Sequence, residues 1–165
     1  MKYLKLNSFL LFITILAGTV PAKAQDDDRV SVKEMIDTRN FVFKAQMMSP
    51  MGGRLINLTS DYDFTVRPDS IVSYLPYFGR AYSAPINPTD GGIKFTSSKF
   101  DYKTTKRKKS WDISIQTRDV SEGYQLFLSV YSNGRATLRA NSVNKQSIVF
   151  DGYITEGRPL NKKGF

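Results

Sequence analysis

Residues 124–140, Tyr-Gln-Leu-Phe-Leu-Ser-Val-Tyr-Ser-Asn-Gly-Arg-Ala-Thr-Leu-Arg-Ala, decide the fold. Tyr124, Leu126, Leu128 and Val130 occupy alternate positions, and Ala136, Leu138 and Ala140 resume the same alternation after Asn133-Gly134. Successive side chains of a strand point to opposite faces, so a period of two marks a sheet with one buried face. Asn-Gly between two such runs is the strongest short-range hairpin signal, because both residues accept the positive φ of a two-residue primed turn. The segment predicts an antiparallel hairpin with Gly134 at positive φ.

The same period extends in both directions. Upstream, Phe41, Phe43, Ala45 and Met47 alternate with Val42, Lys44, Gln46 and Met48 before the turn residues Ser49-Pro50-Met51-Gly52-Gly53. Leu55 to Thr59 and Tyr62 to Arg67 read as two further strands, and Pro68-Asp69 ends the second because proline cannot donate to a ladder. Ile93 and Phe95 share one phase while Phe100 and Tyr102 take the other, so Ser97-Ser98-Lys99 is expected to hold a bulge or bend within one strand. Trp111, Ile113 and Ile115 form the inward set of the next strand, and Ile148, Phe150 and Ile154 form that of the last. About nine strands with short polar connections make a mainly β fold, an antiparallel meander closed as a barrel or folded as a sandwich. Ahead of them Ser31 and Glu34 have capping-box spacing, and Val32, Met35 and Ile36 share a face, which predicts one short N-terminal helix from Val32 to about Thr38.

Residues 1–24 carry a different pattern. Lys2 and Lys5 precede an apolar run from Phe9 to Leu16 that closes on Ala22-Lys23-Ala24, the organisation of a bacterial export signal. Small residues at Ala22 and Ala24 place the cleavage before Gln25. The run is shorter than the ~20 apolar residues a bilayer span needs, so no membrane span is expected once the signal is removed. The expectation is a product of 141 residues, exported to the periplasm or beyond, soluble and monomeric. It comprises one β-rich domain over 25–157 and a flexible tail over 158–165. Phe165 matches the aromatic terminus of outer-membrane barrels, but Lys163, Asn161 and Pro159 behind it cannot form a lipid-facing strand.

Composition removes whole classes of chemistry. The chain has neither His nor Cys. Ser-His-Asp and Cys-His nucleophilic arrangements, His-rich zinc sites and disulfides are therefore impossible, and stability must come from packing. No cofactor is implied. Asp61 and Asp63 lie two apart but lack the glycine turn and the distal glutamate of a calcium loop, so no metal site is expected. Asp69, Asp90, Asp101, Asp112, Asp119, Asp151 and Glu156 supply material for a carboxylate-based hydrolase, but no pair stands out. The formal charge of +9 falls to +6 when Lys2, Lys5 and Lys23 leave with the signal. A basic surface of that size serves solubility or favours acidic glycans, lipopolysaccharide phosphates or an anionic membrane face, and an exported chain is a poor nucleic-acid binder. The run Lys103, Lys106, Arg107, Lys108 and Lys109 is placed at a solvated hairpin tip.

Leu75-Pro76-Tyr77-Phe78-Gly79-Arg80-Ala81-Tyr82 is the most distinctive segment. Pro76 and Gly79 impose a bent path, and Tyr77, Phe78 and Tyr82 surround Arg80. One reading makes these four residues a ligand site in which the rings stack a sugar or apolar molecule and Arg80 pairs with an anion. The other makes the rings a plug for one end of a barrel, with Arg80 bonded to loop carbonyls. Together with Asp90-Gly91-Gly92-Ile93, Trp111, Asn133-Gly134-Arg135-Ala136 and Asn144-Lys145-Gln146-Ser147-Ile148, the segment resembles the exported bacterial proteins grouped as domain of unknown function 4251, over about Phe41 to Ile154. The resemblance implies an exported β-rich domain from a Bacteroidetes-type bacterium and implies no activity. Lys145 stands where the resemblance implies Arg, replacing a bidentate fork with a point charge.

These readings converge on a non-catalytic β domain that binds a small apolar or glycan ligand. Two alternatives stay open: an interaction module of the cell envelope, and a hydrolase built on carboxylates. A ligand site predicts a cavity reaching Tyr77, Arg80 and Tyr82. An interaction module predicts a filled interior with apolar groups outside.

Overall fold

The computed structural model describes residues 30–50, 53–79 and 92–158. Helix α1 spans Val32–Asp37. Nine strands follow: β1 Phe41–Pro50, β2 Ile56–Val66, β3 Ile71–Pro76, β4 Gly92–Ser97, β5 Phe100–Lys106, β6 Ser110–Thr117, β7 Gln125–Tyr131, β8 Arg135–Asn141 and β9 Ile148–Glu156. They form one sheet in the order β4-β3-β2-β1-β9-β8-β7-β6-β5, antiparallel at each junction.

Nine alternating strands cannot close with β9 antiparallel to β1 unless two consecutive strands run the same way. Tracing directions from β1 through both arms of the sheet shows that β4 and β5 do so. They are one long strand bent at Ser98-Lys99, its first half paired with β3 and its second half with β6. The fold is therefore a nearly closed barrel with eight strand courses, the size whose interior side chains alone can fill.

The bend is built around Asp119. Its carboxylate accepts hydrogen bonds from the Ser97 hydroxyl, from the backbone N–H of Ser98 at 2.8 Å and from that of Lys99 at 3.0 Å. Arg118 N–H closes the corner on the Lys99 carbonyl at 2.8 Å. The Ser98-Lys99 bend carries the inward phase from Ile93 and Ser97 in β4 to Phe100 and Tyr102 in β5, as the alternation requires.

The barrel interior is filled. The cross-strand row Met48, Phe150, Leu138, Leu128, Ile113 is fully or almost fully buried. The neighbouring row carries the small residues Ala45, Gly152 and Ala136. Alternating large and small rows let side chains from opposite walls interdigitate. Phe41, Phe43, Phe64, Val66, Ile71 and Leu75 complete the other wall. Met35 and Ile36 bring α1 into the same core. Ser31 caps the helix through its Oγ, which accepts from Glu34 N–H at 3.1 Å. The helix stops in a Schellman motif: Arg39 takes φ 52, its N–H reaches the Ile36 carbonyl, and Asn40 N–H reaches that of Met35.

Two expectations need correction, and one strand stands where no element was expected. The two strands expected at Leu55 to Thr59 and Tyr62 to Arg67 are one strand, β2, Ile56–Val66. Residues 71–76, left between Asp69 and the aromatic segment, form strand β3, with Ile71, Ser73 and Leu75 inward. Ser73 hides the alternation in sequence because a polar residue occupies a core position, its hydroxyl satisfied by the Ile93 carbonyl at 2.7 Å. The β7–β8 hairpin has Gly134 at φ 83, but Ser132 and Asn133 keep negative φ, so the turn is not the two-residue primed kind. Gly134 N–H bonds the Tyr131 carbonyl, and the single left-handed residue after that turn makes a three-residue loop.

Candidate functional site

The connections β1–β2, β3–β4, β6–β7 and β8–β9 lie at one end of the barrel, opposite α1, because each follows a strand running away from it. At this mouth Lys145 Nζ lies 2.9 and 3.1 Å from the two oxygens of Glu122, 3.1 Å from the Gly92 carbonyl and 3.2 Å from the Tyr124 hydroxyl. The same ammonium stands 5.7 Å from the Tyr77 ring centroid. Tyr77 OH donates to the Gln146 carbonyl at 3.2 Å. Tyr124 stacks on Phe95 with centroids 4.7 Å apart and donates its hydroxyl to Glu122. Burial pushes the Tyr124 phenol well up from its ordinary range, and the adjacent Glu122 carboxylate pushes it further. It is therefore neutral and a donor. The Lys145 side chain is only 13% exposed. A lysine suits the position because its three protons radiate toward acceptors on two separate segments, β4 and the β6–β7 connection, whereas a planar guanidinium directs its donors in one fork. This cluster ties β4 and two loops together.

Of the residues nominated from sequence, Tyr77 packs at this mouth and Phe78 is 62% exposed beside it. Arg80 and Tyr82 lie outside the described residues, as do Ala22, Ala24, Gln25, the acid Asp90 and the tail beyond Arg158. Trp111 faces the core from β6, partly buried. Asp63 ion-pairs with Lys44 at 3.2 Å, and Asp61 lies apart from it on the outer surface. Among the described residues no three carboxylates gather as a metal site. The described acids are spread over separate structures: Asp101 with Arg118, Asp112 with Arg107 and Ser129, Asp151 with Thr137, and Asp119 at the corner. The Arg107 guanidinium, then the Ser129 hydroxyl, lower the Asp112 carboxyl, and hydrogen bonds led by Ser97 hold Asp119 down at about 2. A general acid needs the opposite shift.

A second site lies on the outer wall, and sequence reasoning missed it. Ala45 pairs with Tyr62 and Met47 with Asn57, so the single residue Gln46 of β1 faces four residues of β2, Leu58 to Asp61. Across β1 the register also shifts at Gln46, from Ala45 opposite Gly152 to Met47 opposite Asp151. The wall opens there into a groove of about 530 Å³. Tyr62 and Tyr153 supply its aromatic surfaces, and Gln46, Asn57, Thr59 and Asp61 supply amide, hydroxyl and carboxylate groups. Tyr62 is braced by Tyr74, with ring centroids 5.8 Å apart, and Tyr74 in turn carries Lys94 5.0 Å from its centroid. The signal in sequence was indirect: the surplus of residues between the Leu55–Thr59 and Tyr62–Arg67 alternations marks an excursion within one strand.

The fold is a small, nearly closed, up-and-down β barrel whose described residues fill its interior. The family model for the domain of unknown function DUF4251 matches residues 23–154, and the chain belongs to that family. No curated protein matches it. No helix among the described residues is long and apolar enough to cross a membrane.

Proposed function

We propose that this is an exported, non-catalytic domain that binds a glycan in the outer groove between β1 and β2. The observation that carries the reading is the groove itself: two tyrosine rings beside an amide-, hydroxyl- and carboxylate-bearing floor on an otherwise filled barrel. Sugar rings present apolar C–H faces that stack on aromatics and vicinal hydroxyls that bond planar amides and carboxylates. The groove has the volume of ordinary small-molecule sites. An apolar ligand fits less well, because most of the lining side chains are polar. The lysine- and alanine-bounded start of the chain supports export. The dispersed carboxylates, two of them with lowered pKa, support a role without catalysis.

The test is an array of neutral and N-acetylated oligosaccharides probed with the 25–165 domain, followed by calorimetry on the best binder. Tyr153, 42% exposed and outside the core, should be removable without loss of fold. Tyr153→Ala is expected to weaken binding at least about fivefold, in line with the ~1–3 kcal/mol that an aromatic stacking platform contributes in nucleic-acid recognition. Undiminished binding by Tyr153→Ala, or no binder on the array, overturns the reading.

A further inference from the structure

The wall opposite the groove has a different chemistry. On the outer face of β5 to β8, Lys103, Ser114, Phe127 and Arg139 occupy one cross-strand row. Phe127 is 44% exposed between the two cations, and Tyr131, 48% exposed, stands nearer the β5–β6 tip. That tip carries the exposed Lys106, Arg107, Lys108 and Lys109. The acids on this face are engaged: Asp112 by Arg107 and Ser129, Asp101 by Arg118, Asp151 by Thr137. Among the described residues, no carboxylate pairs with Lys103, Lys106, Lys108, Lys109, Arg135 or Arg139.

We infer that this basic, aromatic wall docks on the anionic phospholipid headgroups of a bilayer. Three features select that partner. The cations sit on flexible stems and spread over a strand row and a hairpin tip, so they match a sheet of negative charge and not one converging phosphate. Phe127 and Tyr131 lie among them, and aromatic side chains beside lysines and arginines are the groups that settle at a membrane interface. A soluble polyanion offers the lysines charge but gives an exposed phenylalanine no apolar depth to enter. Each cation near an anionic leaflet adds to the attraction, about fivefold in affinity per residue.

Sedimentation of the 25–165 domain with vesicles of phosphatidylglycerol and phosphatidylcholine, against phosphatidylcholine alone, tests the inference. Binding is expected to the anionic vesicles only and to fall with salt. Lys103→Glu with Lys108→Glu should reduce it at least twentyfold, and Phe127→Ser should reduce it without any change in charge. Lys44→Glu on β1 with Lys94→Glu on β4 makes the same change in net charge away from the Lys103–Arg139 row and the β5–β6 tip, and should leave most of the binding. Both double variants are on exposed or half-exposed strand and loop positions, and a far-ultraviolet circular dichroism melt confirms that they fold. Equal losses from the two double variants would show that net charge alone acts and overturn the assigned wall. So would binding to both vesicle types, binding to neither, or inorganic polyphosphate bound as tightly as vesicles with Phe127→Ser without effect.

Discussion

Gly152 is the residue on which the two sides of the barrel wall meet. A Cβ built there would collide with the Lys44 carbonyl oxygen and stand 3.2 Å from the Ala45 Cα. Both obstacles are backbone, so no side chain can turn aside, and the β1–β9 pairing itself must shift. Gly152→Ala is expected to cost about 3 kcal/mol, at the upper end of ordinary overpacking. Gly134 fails differently. Its Cβ would meet nothing nearer than 3.9 Å, but its φ of 83 is strained for any β-branched residue. Gly134→Val should cost about 1 to 3 kcal/mol, while Gly134→Asn should cost little because asparagine tolerates the left-handed region. Urea denaturation separates the two cases: asparagine rescues position 134 and not position 152. An unchanged midpoint for Gly152→Ala would mean that β1 and β9 do not approach as closely as described.

At the scale of elements, the corner between β4 and β5 depends on one carboxylate. Asp119 is held at about 2 by the Ser97 hydroxyl first and the Ser98 N–H next. A depressed folded pKa means that its contribution is complete above the unfolded value of about 3.9 and disappears as the pH falls through about 2. Asp119→Asn should therefore melt below the parent protein at pH 7, and the gap should narrow between about pH 4 and pH 2. A gap that stays constant over that range, or carboxyl titration of Asp119 near the ordinary value, would contradict the corner. This bend was legible in sequence, because the change of phase between Phe95 and Phe100 can only be absorbed at Ser97-Ser98-Lys99. Strand β3 was not, since Ser73 interrupts the inward apolar set and its satisfying partner, the Ile93 carbonyl, is 20 residues away. The continuity of β2 was also hidden. Thr59, Ser60 and Asp61 look like a loop, and only the pairing of Asn57 and Tyr62 with the same neighbour shows that the strand continues past them.

Across the whole molecule, the alternating residues of Tyr124 to Ala140 announced the barrel, and Leu126, Leu128, Val130 and Leu138 are buried as that alternation demands. The groove was not announced, because its tyrosines and amides come from β1, β2 and β9 and are joined only by register. In sequence Lys145 stands out only as a lysine where the family resemblance implies arginine; its role in binding Glu122, Gly92 and Tyr124 depends on loops that sequence cannot bring together. With aromatic and branched side chains filling the interior, the proposed glycan site lies on the wall. The most direct test is a ¹H–¹⁵N correlation titration of the isotopically labelled 25–165 domain with chitotriose and with the best oligosaccharide from the array. The expected result is saturable shifts confined to the amides of residues 44–47, 57–62 and 153, with Leu128, Leu138 and Phe150 unmoved. Shifts centred on those core amides, or on Tyr77 and Lys145 at the mouth while the groove stays silent, would contradict it.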